Sequence, residues 1–343
     1  MSTESHASMA DVARAADVSV ATVSRALRGS PLVSAETTAR VQAAAAELSF
    51  AISRVASGLA SGRLGRIGVL VGGSLQSWFS GAVLDAVYAR LAQADTELTI
   101  FRIQDRDERD AFFTRLPARR NVDALVVASF ALTSAERTRL QTLGVPLVYL
   151  NQRVRGVPSV AIDDVAGARE GVRGLLNLGH RRIAYVQFRN RNPDFTYSSG
   201  RRVDGFRAAM AEAGVGRDEQ LVITADDLDA GEAVLGAALA HAEPPTALAV
   251  DSDELAIGVL AAMTRAGLRP PEDLSVLGFD DHPLAARIGL STVAQPVALT
   301  GTEAATLALA LAAGETPVRR TVLVPTRLVL RGTTGPPARR GRG

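Results

Sequence analysis

The sequence predicts a small all-α head followed by a much larger α/β body of two doubly wound parallel-sheet lobes, and three observations carry that prediction. Residues 8–50 set apolar side chains at helical spacing between short polar residues suited to capping. From Arg66 onward, apolar runs alternate with longer amphipathic stretches, the pattern of parallel strands covered on both faces by helices. Nine such runs exceed what one small doubly wound domain uses, so the body divides into two similar lobes.

The head reads in order. Ser8 precedes Met9 and is followed by Asp11, a capping-box spacing that starts a helix running to about Ala16. Asp17 stands where the chain needs a left-handed residue. After the turn Ser19 caps a second helix, Val20 to about Leu27, which stops at Gly29. Ser34 caps a third, Ala35 to Leu48, with Glu36 in the first turn where the macrodipole favours an anion. Val12, Ala13, Ala16, Val18, Val23, Leu27, Val41, Ala44, Ala45 and Leu48 form the expected core.

In the body the expected strands are Ile67–Val71, Leu98–Ile103, Ala124–Ala128, Leu147–Leu150, Ser159–Ile162, Arg182–Val186, Gln220–Thr224, Ala247–Val250 and Ser275–Phe279. Helices fit between most of them, as at Gly81–Ala94, Ala166–Leu178, Arg201–Ala213, Ala230–Ala240 and Ser252–Ala266. From Gly332, the composition GTTGPPARRGRG predicts a disordered tail over 332–343.

Composition narrows the function. The chain has 343 residues, 47% of them hydrophobic, so it buries ample cores; only 4% are aromatic, and Trp78 is the one tryptophan. Lysine is absent, and the net charge of +2 is too small to argue for nucleic acid, so any DNA argument rests on local arrangement. The absence of cysteine excludes disulfides, thiolate metal sites and a cysteine nucleophile. No secretory signal opens the sequence and no apolar stretch is long enough to span a bilayer, so a cytoplasmic protein without membrane contact is expected.

Two short helices joined by a four-residue turn, as in DVARAADVSVATVSRALRG, let one helix lie in a major groove while the other crosses the backbone. The second helix carries short side chains, Val20, Ala21 and Thr22, at its N-terminal end, where they can approach base edges. Ser24 and Arg25 follow, and an arginine can pair both acceptors of guanine. On these points alone a plain helical hairpin with a surface arginine remains a rival reading.

The segments DVARAADVSVATVSRAL, VSAETTARVQAAAAELSF and SRVASGLASGR resemble the head and hinge of the LacI/GalR family of bacterial repressors. LGHRRIAYV, RRVDGF, SDELAIG, LSVLGFDD and LSTVAQP continue the resemblance in order to about Leu330. The resemblance implies a helix-turn-helix head over 1–50, a hinge helix and linker over 51–65, and a periplasmic-binding-protein-like core over 66–331. Lobe 1 would hold about 66–162 and 295–324, and lobe 2 about 163–293 and 325–331. It implies base reading by Val20, Ala21 and Arg25, with Ser19, Thr22 and Ser24 placed for phosphate or positioning contacts. It further implies a hinge over Ser53 to Ala60 that folds on DNA and inserts Leu59 into the minor groove, with Val55 and Ala56 beside it. Gly58 departs from a good hinge helix, where glycine costs ~1 kcal/mol relative to alanine. The partners implied are a pseudo-palindromic DNA operator, a second copy of the chain, and a small polar effector, most simply a sugar or sugar derivative.

Candidate effector residues sit where strands end. Ser74, Gln76 and Trp78 follow the first strand, Trp78 offering a flat face to a ring. Asp163 follows the fifth strand, Ser252 and Asp253 follow the eighth, and Gln295 stands in the last crossover. The resemblance adds Arg202 as an effector-gripping arginine and Asp280 as a hydroxyl-binding aspartate. In the loop Phe188–Ser199, Phe195 and Tyr197 offer stacking walls, and Arg189 and Arg191 could meet an anionic group, though they read more simply as solvated.

Two rival classes remain. An enzyme is disfavoured because no phosphate-binding glycine motif appears and the four histidines are dispersed without metal-ligand spacing, so no catalytic residue, cofactor or metal is expected. A periplasmic-type sugar-binding protein would share the body but not the head. Within the regulator reading, a nucleobase corepressor is the alternative to a sugar.

Overall fold

The computed structural model describes residues 7–27, 30, 32–50, 63–128, 130–142, 144–189, 197–216, 219–227 and 229–338. The hinge candidates Ser53, Val55, Ala56 and Leu59, with Gly58, lie outside the described residues, as do Gly29, Arg191 and Phe195. Residues 1–65 and 66–343 form two separate units.

In the head, the hydroxyl of Ser8 accepts from the Asp11 N–H and Asp11 Oδ2 accepts from the Ser8 N–H, which starts α1 (Met9–Ala15) with both donors satisfied. Asp17 takes the left-handed turn with φ 50°. Ser19 Oγ then accepts from the Thr22 N–H at 3.1 Å and opens α2 (Val20–Leu27). Ser34 caps α3 (Ala35–Glu47) in the same way through Thr37. Val12, Val23 and Val41, one from each helix, are fully buried and meet with Ala13, Ala16, Ala26, Ala44 and Ala45 in one core. Leu48 departs from expectation: it is the residue capping the end of α3, beyond the packed face, and is 37% exposed.

The body holds two six-stranded sheets. The first comprises β1 (Arg66–Gly72), β2 (Glu97–Ile103), β3 (Ala124–Ala128), β4 (Leu147–Leu150), β5 (Ser159–Ala161) and β11 (Thr321–Leu323), in the order 11-5-4-3-1-2 and all parallel. The second comprises β6 (Ile183–Phe188), β7 (Val222–Ala225), β8 (Ala247–Val250), β9 (Ser275–Asp280), β10 (Ser291–Ala294) and β12 (Arg327–Val329), in the order 12-10-9-8-6-7, with only β12 antiparallel. Inner strands such as β3 and β8 are buried throughout, which is why they read as unbroken apolar runs.

Helices α4 (Trp78–Ala92), α5 (Arg106–Arg115), α6 (Ser134–Gln141) and α12 (Val297–Ala312) belong to the first lobe. The second takes α7 (Asp164–Asn177), α8 (Arg202–Glu212), α9 (Gly231–Leu239), α10 (Asp253–Arg265) and α11 (Pro283–Ile288). The chain therefore crosses between lobes three times, after β5, after β10 and between β11 and β12. Three strands beyond the nine expected are β10, β11 and β12, each three or four residues long and beside a crossover. No helix among the described residues is long and apolar enough to cross a membrane.

The expectation of a disordered tail needs correction over 332–338, which are described and packed on the second lobe. Thr333 is 4% exposed; its hydroxyl accepts from the Ser291 N–H and donates to the Val276 carbonyl, and its own carbonyl accepts from the Val276 N–H. The Gly335 carbonyl sits 2.8 Å from Nε2 of the buried His180. A Gly/Pro-rich composition reports poor apolar burial, but this segment is fixed by hydrogen bonds to a preformed sheet.

Candidate functional site

In open α/β sheets of this winding, ligands bind outside the carboxyl ends of the strands where the strand order reverses. Here the reversals fall between β1 and β3 in one lobe and between β6 and β8 in the other. A cavity of about 370 Å³ lies at both, lined by Gly73, Ser74 and Ala128 on one side and by Phe188, Asp251 and Ser252 on the other. Arg202, Asp280 and Gln295 complete its polar floor.

Arg202 organises that floor. It is the first residue of α8 and 5% exposed. Nε donates to Asp164 Oδ1 at 2.8 Å, and Nη1 to the Asp251 carbonyl at 2.6 Å and to Asp280 Oδ1 at 3.4 Å. The guanidinium lies 3.6 Å above the centroid of the Phe279 ring. Burial alone would lower its pKa, but the carboxylates of Asp164, Asp280 and Asp251 outweigh that and raise it, so it stays charged. Its Nη2 has no hydrogen-bond partner among the described residues.

Asp280 answers the arginine. Its backbone has φ 127°, outside the usual range of a side-chain-bearing residue. Oδ1 accepts from Gln295 Nε2 at 2.5 Å as well as from Arg202, while Oδ2 has no partner among the described residues. Burial pushes the carboxyl up to about 7, Arg202 pulling against it. Asp251 is also raised by burial, again opposed by Arg202, and accepts from the Phe188 N–H at 3.0 Å. A donor and an acceptor of this kind, fixed side by side, suit a ligand carrying neighbouring hydroxyls.

Other expected residues sit differently. Ser74 and Ser252 line the cavity, and Ser252 also caps α10. Gln76 does not line it; its N–H donates to Ser74 Oγ. Trp78 opens α4, packs on the lobe core and lies 4.9 Å from the His282 ring; the aromatic lining comes from Phe79, Phe188 and Tyr197 instead. Asp253 is fully buried, accepts from the Thr292 hydroxyl at 2.7 Å and from the His282 N–H at 2.8 Å, and is pushed up to about 6 by burial. It braces β9 and β10 rather than lining the cavity. Asp163 caps α7 through the Ala166 N–H and lines a smaller neighbouring cavity. Tyr197 lines the main cavity, whereas Arg189 stands away from it, 3.7 Å from Asp226.

Among the polar lining or bracing residues that went unnamed in the sequence are Asn151, Asp164, Asp251 and Glu254. Asn151 and Asp251 directly follow the strands β4 and β8, so the strand-end rule reaches both. Asn151 is 5% exposed with φ 55°, and its Oδ1 is buried without a hydrogen-bond partner among the described residues. Such an acceptor costs ~1–3 kcal/mol when left unmet.

In the head, Val23 and Ala26 face the core, and Ser19, Val20, Ala21 and Arg25 are exposed, with Thr22 and Ser24 half-buried between. Val20, an apolar side chain, is 46% exposed at the start of α2.

The profile of bacterial regulatory proteins of the lacI family matches residues 8–53, and that of the periplasmic binding protein-like domain matches residues 172–334. The HTH-type transcriptional regulator GalS of Salmonella typhimurium is 35% identical over 309 residues, 89% of either chain. CelR of Thermobifida fusca, another HTH-type transcriptional regulator, is 32% identical over 335 residues, 93% of this chain and 96% of its own. The crystal structure of the lac repressor dimer bound to operator and the anti-inducer ONPF superposes with a TM-score of 0.83 at 28% identity, covering 96% of this chain and all of the other. The complex of CelR with cellobiose superposes at 0.69 with 29% identity, covering 95% and 99%.

Proposed function

This chain belongs to the lacI family of bacterial regulatory proteins, and from that premise we propose that a neutral polyhydroxyl effector, a sugar, binds in the interlobe cavity and controls its hold on DNA. The protein is a helix-turn-helix transcriptional regulator that binds an operator as a dimer. Base reading falls to Val20, Ala21 and Arg25, the exposed face of α2, and positioning contacts to Ser19, Thr22 and Ser24. The body acts by binding alone, without catalysis.

One observation carries the effector class: among the described residues, the one guanidinium on the cavity floor, Arg202, is ringed by three carboxyls, Asp164, Asp251 and Asp280. An anionic ligand such as a sugar phosphate meets no uncompensated positive charge there. Hydroxyls, by contrast, meet donors and acceptors together, and a carboxyl titrating near neutrality can serve as either. Thermal shift of the full-length protein with neutral sugars and the matching sugar phosphates tests this. Stabilisation by a neutral sugar and not by its phosphate is expected; the reverse order contradicts the assignment.

A further inference from the structure

The cleft does not end at the cavity just described. A second space of about 170 Å³ adjoins it, lined by Asn151, Gln152, Asp163, Tyr197 and Arg201 among others. Asn151 and Tyr197 line both spaces. Tyr197 is the partition: its backbone bridges across the lobes to Phe130, and its hydroxyl comes so close to Gly73 that a Cβ there would stand 3.0 Å away. Gly73 has φ 90°, so a side chain is disfavoured there on both counts. Resting on the sugar reading above, we propose that the effector is two sugar units long, one in the main cavity and the second beyond Tyr197 against Asn151, Asp163 and Arg201.

Three features of the second space suit hydroxyl chemistry. The stranded Asn151 Oδ1, in a side chain that is 5% exposed, is an acceptor waiting for an O–H donor, in the wall the two spaces share. Asp163 spends Oδ1 on the cap of α7, which leaves its second oxygen as an acceptor. Arg201 ends the short helical turn 198–201, is exposed, and forms no ion pair among the described residues; it supplies donors at the outer rim. The main cavity, at about 370 Å³, stands near the small end of the ~300–1,000 Å³ range of ligand sites. The second space lies directly alongside, across Asn151 and Tyr197, and offers a longer ligand room that a single ring would not use.

Titration calorimetry of the full-length protein with glucose, galactose, cellobiose, maltose, lactose and melibiose reads the length directly. The expected result is a disaccharide bound at least about ten-fold more tightly than either constituent monosaccharide. Arg201→Ala should weaken that disaccharide about ten-fold while changing the monosaccharide by less than about two-fold. Asn151→Gly, which keeps the left-handed backbone and deletes the amide, should also weaken the disaccharide. A monosaccharide bound as tightly as the disaccharide, or an Arg201→Ala effect equal on both, overturns the two-unit proposal and leaves the sugar reading standing. No binding of any of these sugars overturns the sugar reading and this inference with it.

Discussion

Asp280→Asn separates the floor of the cleft from the rest of the protein through pH. In the folded protein burial pushes the Asp280 carboxyl up to about 7, against the pull of Arg202, whereas an aspartate in the unfolded chain titrates near ~3.9. Between these values the folded state holds the extra proton. The contribution of Asp280 to stability therefore declines as pH rises through the interval, at up to about 1.4 kcal/mol per pH unit, and levels off above the folded value. Asp253, pushed up to about 6, contributes with the same sign but has largely titrated by then. His180 and His282, both lowered by burial, act across the same range with the opposite sign, so the difference between wild type and Asp280→Asn from about pH 6 to about pH 7, rather than the wild-type slope, reports on Asp280. Asparagine keeps the shape and the oxygen that accepts from Gln295 Nε2, and removes the titration. Urea unfolding in half-unit steps across that window should give a wild-type stability that falls relative to the variant's as pH rises. Equal slopes in the two proteins refute the assignment of the proton to Asp280.

Three further outcomes follow from particular residues. Arg25→Ala should cost ~1–3 kcal/mol of operator affinity and relax the preference at one base pair, read by competition mobility shift; a uniform loss on every sequence would make Arg25 a phosphate contact instead. At Gly278 a Cβ would run into Asp253 Oδ1, so Gly278→Ala should lower stability by ~1–3 kcal/mol in urea unfolding, and a change under about 0.5 kcal/mol would contradict that packing. Gly58→Ala should tighten operator binding by up to ~1 kcal/mol at fixed salt, and unchanged or weaker binding counts against a hinge that folds on DNA.

The fold was legible wherever one physical signal dominated. The Ser8, Ser19 and Ser34 caps are local, and each starts a helix where the sequence placed it. Buried central strands such as Ala124–Ala128 and Ala247–Val250 match residue for residue, because burial on both faces leaves an unbroken apolar run. Thr321–Leu323 escaped because it is an edge strand whose residues alternate exposed and half-buried over three positions, and Arg327–Val329 is as short. The packed tail escaped because what holds it, Thr333 and Gly335 on β9 and β10, is long-range hydrogen bonding that composition does not report.

At the site, Arg202, Asp280 and Gln295 meet on the cavity floor where the resemblance and the strand-end rule put them. Trp78 and Asp253 read as ligand contacts because their immediate neighbours do line the cavity, Ser77 and Phe79 beside the one and Ser252 and Glu254 beside the other. A helix start turns Trp78 into the lobe core, and burial turns Asp253 onto Thr292 and the His282 backbone. Asp164 could not be picked from its neighbour Asp163 without the ion pair to Arg202, which spans 38 positions of sequence.

The account rests on a head that reads DNA under the control of a ligand in the body, and one measurement reaches both ends of it. The full-length protein is presented with a pool of inverted-repeat DNA at fixed salt, its preferred site is recovered, and the affinity for that site is measured with and without a sugar shown to bind the body. The account predicts a recovered inverted repeat bound well above random DNA, and an affinity shifted about ten-fold or more, in either direction, by the sugar. No preference over random DNA, or an affinity indifferent to a sugar bound in the cleft, would contradict it.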